Sequence, residues 1–151
     1  MKTLRLREGK ERSLHRGHPW IFDSAIAKGS ADAGETVRVE SFDGAFLAWA
    51  AFSPSSKIKA RVWSFDVDQR IDEAFLEGLV QKAVQSRVHF DVQSNGVRLI
   101  HAESDGLPGL IVDQYDDTLV LQVLSTGVER YKTVLVKALK KHTGLERVYE
   151  R

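Results

Sequence analysis

The hydrophobic period of this 151-residue chain changes once, near residue 66, and that change limits its fold more than any other feature. Before it, apolar and polar residues alternate in short runs broken by Gly, Pro, Asp and Ser. After it, a long stretch repeats its apolar residues at helical spacing before strands return. In the first half, Thr3 to Arg7 alternates with Leu4 and Leu6 on one face and Arg5 and Arg7 on the other, which predicts a half-buried strand. Glu8 to Arg16 predicts a short helix that Gly17 ends, with Pro19 unable to continue it. Further strands are expected at Thr36 to Ser41, Ala45 to Phe52 and Lys57 to Ser64, separated by an Asp43-Gly44 turn and a Ser53-Pro54-Ser55-Ser56 loop. Short strands with one short helix make a small β-barrel over residues 1–66.

Beyond residue 66 the expectation is an α+β domain over 67–151, built from a hairpin and two helices, so that the fold class of the whole is mixed α/β. Asp72 is the expected N-cap of a helix over 73–88, with Phe75, Leu79, Val80, Ala83, Val84 and Val88 recurring at helical spacing and Ile71 and Leu76 stapled across the cap. Asn95-Gly96 predicts a turn. Strands follow at Val97 to Ala102, Gly109 to Tyr115 and Thr118 to Leu124, the last two joined tightly through Asp116-Asp117. Thr126-Gly127-Val128-Glu129 reads as a capping box opening a second helix, closed by Gly144. Leu145 to Arg151 begins another strand at the end of the sequence, and the expectation is that the chain normally continues into a further domain.

Composition removes several chemistries. There are no cysteines, so cystine frameworks, thiolate metal sites and cysteine nucleophiles are excluded. The longest apolar run, Ala45 to Phe52, is far too short to span a bilayer, and the N-terminus interleaves charge with leucine where a signal peptide needs an unbroken apolar segment. A cytoplasmic protein without a membrane partner is expected. No glycine-rich phosphate loop and no zincin motif occurs. His15 and His18 stand three apart without a supporting third ligand, so no metal is expected. His101, Glu103, Ser104 and Asp105 bring acid, base and hydroxyl together, but Leu107-Pro108-Gly109-Leu110 beside them has the form of a type II turn, and turn chemistry is the better reading. No catalytic residue is expected in the chain.

The net charge of +1 conceals a gradient. Residues 1–66 hold 11 Lys/Arg against 8 Asp/Glu, and residues 67–151 hold 11 against 13. The candidate binding residues are therefore cations of the first half: Arg5 and Arg7 on the first strand, Lys10, Arg12 and Arg16 in the short helical stretch, and Lys57, Lys59 and Arg61 alternating with Ile58, Ala60 and Val62. His18 joins them at an exposed corner. Cations for phosphates and a ring for stacking are what RNA recognition requires. Trp20, between Pro19 and two large apolar residues, is expected in the core rather than as a stacking platform.

Gly17-His18-Pro19-Trp20-Ile21-Phe22, Gly34-Glu35-Thr36-Val37, Asp43-Gly44-Ala45-Phe46-Leu47 and Ser53-Pro54-Ser55-Ser56-Lys57-Ile58 with Arg61-Val62 together resemble the PUA domain that begins one group of ribosomal RNA methyltransferases. Arg98 to Tyr115, with Glu103-Ser104-Asp105-Gly106-Leu107-Pro108-Gly109, resembles the small central domain of the same group, which methylates C5 of a cytosine in large-subunit rRNA. Two positions depart from that pattern: Ser53 stands where an Asn is expected, and Ala102 where a Gly is common. The resemblance implies RNA, large-subunit rRNA in particular, as partner, with a homo-oligomer left open. It implies S-adenosylmethionine as cofactor of the full-length family and none in this chain. The family's nucleophile is a cysteine, which this chain lacks. What is implied is the RNA-binding and substrate-positioning part of such an enzyme, and the alternative is a stand-alone PUA-type RNA-binding adaptor.

Overall fold

A computed structural model of the chain describes residues 1–87 and 96–151, folded as two compact units, Met1–Ile71 and Asp72–Arg151. The expected helical residue Val88 and the turn residue Asn95 lie outside the described residues.

The first unit runs β1 (Thr3–Leu6), α1 (Arg12–His15), β2 (Trp20–Phe22), β3 (Ile26–Lys28), β4 (Thr36–Glu40), β5 (Phe46–Phe52) and β6 (Ile58–Ser64). Its six strands form one sheet in the order β2-β6-β5-β4-β1-β3, curled as a half-barrel. Alternation decides which side chains enter the curl. Leu4 and Leu6 of β1, Val37 and Val39 of β4, Ala48 and Ala50 of β5 and Ala60 and Val62 of β6 all point inward, and Leu14 of α1 and Ile21 of β2 complete the same core. Full burial of each Leu, Ile or Val side chain contributes about 1.5–3 kcal/mol, so this cluster is what holds the strands together. The β1–β4 pair is parallel, with Leu4 opposite Val39, and the other pairs are antiparallel. β3 is a strand that the sequence pattern does not announce, because three residues with one of them half-buried are too few to show a period.

Between α1 and β2 the chain reverses through a tight hydrogen-bonded corner. The Gly17 N–H donates to the Leu14 carbonyl at 2.9 Å and the His18 N–H to the Ser13 carbonyl at 3.0 Å, the double bond pattern that closes helices through a left-handed residue. Gly17 takes that conformation, with φ at +84°, and it is the predicted helix stop. The corner delivers His18, Pro19 and Trp20 directly into β2.

The second unit comprises α2 (Glu73–Arg87), β7 (Val97–His101), β8 (Leu110–Tyr115), β9 (Thr118–Val123), α3 (Thr126–Arg130), α4 (Lys132–Thr143) and β10 (Arg147–Glu150), with the sheet ordered β10-β9-β8-β7. Asp72 caps α2 as expected, its carboxylate accepting the Phe75 N–H at 2.9 Å. The Leu107–Leu110 turn closes through a 3.0 Å bond from Leu110 N–H to the Leu107 carbonyl, with Gly109 at φ +82°. Ala102 has φ at +47°, a conformation unfavourable to any residue with a Cβ, which is the physical reason a glycine suits this position.

Two expectations are corrected here. The N-cap of the C-terminal helical region is Ser125, whose hydroxyl accepts the Val128 N–H, so the capping frame begins one residue before Thr126. The region is also two helices: Tyr131, at φ −100° and ψ 13°, separates α3 from α4. β10 then returns parallel to β9, with Val148 opposite Leu119, so the unit holds a β–α–β crossover as well as a hairpin. On α2, the Glu77 carboxylate receives Lys141 Nζ at 2.6 Å and His142 Nε2 at 3.2 Å from α4, and the Lys141 hydrogen bond first, then that of His142, holds its pKa below the usual carboxylate range.

Candidate nucleic-acid interface

The residues of the first sheet that do not enter its core lie on its outer face, and the strand register arranges them in rows. One row runs Lys28, Arg5, Glu40, Phe46 across β3, β1, β4 and β5. The next runs Thr3, Arg38, Trp49, Ser64, and a third Thr36, Ala51, Arg61, Trp20. Arginines and aromatic rings thus share one surface.

Glu40 organises the first two rows. Arg5 Nη2 donates to its Oε1 at 2.9 Å and Arg38 Nε to its Oε2 at 3.0 Å, so one carboxylate holds two guanidinium groups. The Arg5 hydrogen bond, then that of Arg38, keeps the Glu40 carboxyl below its ordinary pKa. Arg38 also lies over the Phe46 ring, 4.9 Å from its centroid, and Phe46 meets Trp49 at 5.2 Å. The Trp49 indole N–H donates to the Val67 carbonyl at 3.2 Å.

The third row ends at the corner that follows α1. Arg61 stands over the Trp20 ring, 5.1 Å from its centroid, and the two are cross-strand partners. His18 and Phe22 meet Trp20 edge to face, at centroid separations of 6.0 and 6.3 Å. Trp20 is half-buried and absent from the core cluster, whereas its neighbour Ile21 is buried within it. The expectation of a core Trp20 is therefore corrected: in a strand the parity of Ile21 sends Trp20 and Phe22 outward, and large apolar neighbours in sequence do not make neighbours in space.

The remaining candidates lie outside these rows. Arg7 is exposed just past β1, Lys10 is exposed in the turn that follows, and Arg12 and Arg16 are exposed on α1 and at its end. Lys10 also lines a cavity of about 150 Å³ shared with Ser13, Trp20 and Phe22. Lys57 is exposed immediately before β6, while Lys59 donates Nζ to the Pro54 carbonyl at 2.6 Å. The structure thus brings Arg61 and His18 together around Trp20, and ties Arg5 into the Glu40 cluster apart from them. Arg38, Phe46 and Trp49 were not anticipated. The alternation of Thr36-Val37-Arg38-Val39-Glu40, read as Thr3 to Arg7 was read, points Arg38 to the same side as its polar neighbours.

In the second unit the acid–base cluster is consumed by structure. Arg87 clamps the two Asp105 oxygens, each at 3.1 Å, and Asp105 also accepts the His101 backbone N–H at 2.7 Å. Glu103 accepts the Gly109 N–H at 3.1 Å. These carboxylates hold the turn between β7 and β8. Among the described residues, no three His, Asp or Glu side chains converge as metal ligands, and no helix is long and apolar enough to cross a membrane.

Residues 4–65 match the model of a PUA-like domain. The chain is 44% identical over 150 residues, 97% of its length, to the ribosomal RNA large subunit methyltransferase I of Pseudoalteromonas translucida, and 45% identical over 141 residues to that of Escherichia coli. It spans about 38% and 36% of the length of these relatives. Among solved structures, a protein of Streptococcus mutans described as a SAM-dependent methyltransferase superimposes with a TM-score of 0.88 at 20% identity, covering all of this chain and 40% of its own. A methyltransferase structure complexed with SAH superimposes equally well, with a TM-score of 0.88 at 19% identity.

Proposed function

We propose, of a chain whose residues 4–65 belong to the PUA-like domain family and which is a relative of ribosomal RNA large subunit methyltransferase I, that it is the RNA-binding and substrate-positioning part of such an enzyme. The observation that carries this reading is identity of 42–45% over 91% or more of the chain to proteins of that one name, of which it covers little more than a third. The expected partner is large-subunit rRNA in the cytoplasm. Its phosphates would meet Arg7, Lys10, Arg12, Arg16, Lys57, Lys59 and Arg61, with His18 at the exposed corner.

S-adenosylmethionine is the methyl donor this reading assigns to the larger protein, and the loop after β9 does not fit it. The loop of the one β–α–β crossover in the second unit is already closed: the Ser125 hydroxyl donates to the Pro108 carbonyl at 2.7 Å and accepts the Val128 N–H, while Gly127 and Val128 are buried. No open glycine cradle remains for an adenosyl group there.

Titration of the chain with an rRNA hairpin over a range of salt tests the proposal. Affinity should fall as salt rises, with the logarithmic slope reporting the phosphate contacts made. Binding that is absent, or independent of salt, would refute it.

A further inference from the structure

His18, Trp20 and Phe22 are alternate residues entering and running along β2, and their rings form a ladder with centroid steps of 6.0 and 6.3 Å. β2 is an edge of its sheet, flanked by β6 on one side only among the described residues. Phe22 is 44% exposed, a large amount for a ring that has a core available one residue away. The ladder is backed by charge, since Arg61 stacks on Trp20, and the Lys57 carbonyl receives the Asp23 N–H at 2.9 Å, which places Lys57 next in sequence to Ile58, the cross-strand partner of Phe22.

His18 adds a directed donor. Its Nδ1 accepts the Trp20 backbone N–H at 3.2 Å, so in the neutral ring the proton sits on Nε2, which has no partner among the described residues. The hydrogen-bonded corner at Gly17 fixes the backbone from which that ring projects.

We propose that the His18–Trp20–Phe22 ladder, with Arg61 behind it, is a stacking site for consecutive unpaired nucleobases of RNA, an inference that rests on the RNA-binding reading above and gives it a location and a strand preference. Rings in series beside cations are the elements by which single strands are held, each base presenting a π-face and each phosphate a charge. A paired helix keeps its bases stacked inside and could use only the cations.

The test compares a single-stranded RNA ten-mer with a blunt-ended, fully paired RNA duplex, for the parent chain, Phe22→Ala, Trp20→Leu and Trp20→Phe. Phe22→Ala should weaken the single strand about 5- to 100-fold, leave the duplex nearly unchanged, and keep the salt slope and the melting temperature of the parent, since it removes neither a charge nor a core residue. Trp20→Phe should retain most of the single-strand affinity that Trp20→Leu loses. Single-strand binding by Phe22→Ala and Trp20→Leu as tight as the parent's, with the parent's salt dependence intact, would overturn the ladder and leave the RNA-binding reading standing. A parent chain that binds neither RNA would overturn both.

Discussion

Arg5 donates to Glu40 across the parallel β1–β4 pair at 2.9 Å, so that one candidate phosphate ligand is engaged in an ion pair within the sheet. Arg5→Ser should leave the salt slope of RNA binding unchanged and lower the denaturation midpoint. Arg7→Ser, Lys10→Ser and Arg16→Ser should each reduce the slope by about 0.7–0.9 where the cation touches a phosphate, with stability nearly unchanged. Salt titrations and urea melts on the same four variants separate the two classes.

Glu40 also sets an acid response. Its folded pKa is depressed, so the stability it contributes is complete above its ordinary value of 4.5 and is lost as the pH falls through the folded value. The parent should therefore lose stability on acidification below about 4.5 more steeply than Glu40→Gln, which has no carboxylate to protonate there. Equal steepness in urea midpoints measured down that range would contradict the assignment.

Ser125→Ala should destabilise the chain by about 0.5–2 kcal/mol, through the lost cap of α3. Gly109→Ala acts on the same place from the other side. A Cβ at Gly109 would lie 2.6 Å from Ser125 Cβ, and φ is +82°, so a cost of about 1–3 kcal/mol from backbone strain is expected before the clash is counted. Denaturant melts of the two single variants and the double variant would show non-additivity, since the residues touch.

Ala102→Gly should be neutral or stabilising, by up to about 1 kcal/mol, because it relieves the positive φ of +47°. Loss of stability in this variant would mean that the gain in unfolded-chain entropy outweighs the relieved strain.

The sequence made most of the strands legible because their inward residues alternate without interruption, as in Leu4 and Leu6 or Val37 and Val39. It also made the Gly17 stop legible, since a glycine followed by His-Pro leaves few alternatives. The cap at Ser125 was not legible: Ser125 and Thr126 are both good caps, and only the turn at Pro108, which engages the Ser125 hydroxyl, decides between them. Around the candidate site, the cations could be named but their partners could not. Glu40 lies 35 residues from Arg5, and Arg61 is 41 residues from Trp20, separations that only the strand register spans. Trp20 itself shows the limit of reading neighbours, since parity along β2 outweighs the apolar character of the residues beside it.

The open edges of the two sheets bear on self-association. β2 and β3, the edges of the first sheet, have three residues each, and both pair with their neighbours through a register shift. β7 carries another such shift, and β10, four residues long, begins with Arg147 and ends with Glu150. Short, bulged or charged edges are poor templates for an incoming strand. Backbone-to-backbone joining of two copies is thereby obstructed at every edge described, which protects the chain from ribbon-like aggregation and leaves side-chain surfaces as the means by which one copy could recognise another.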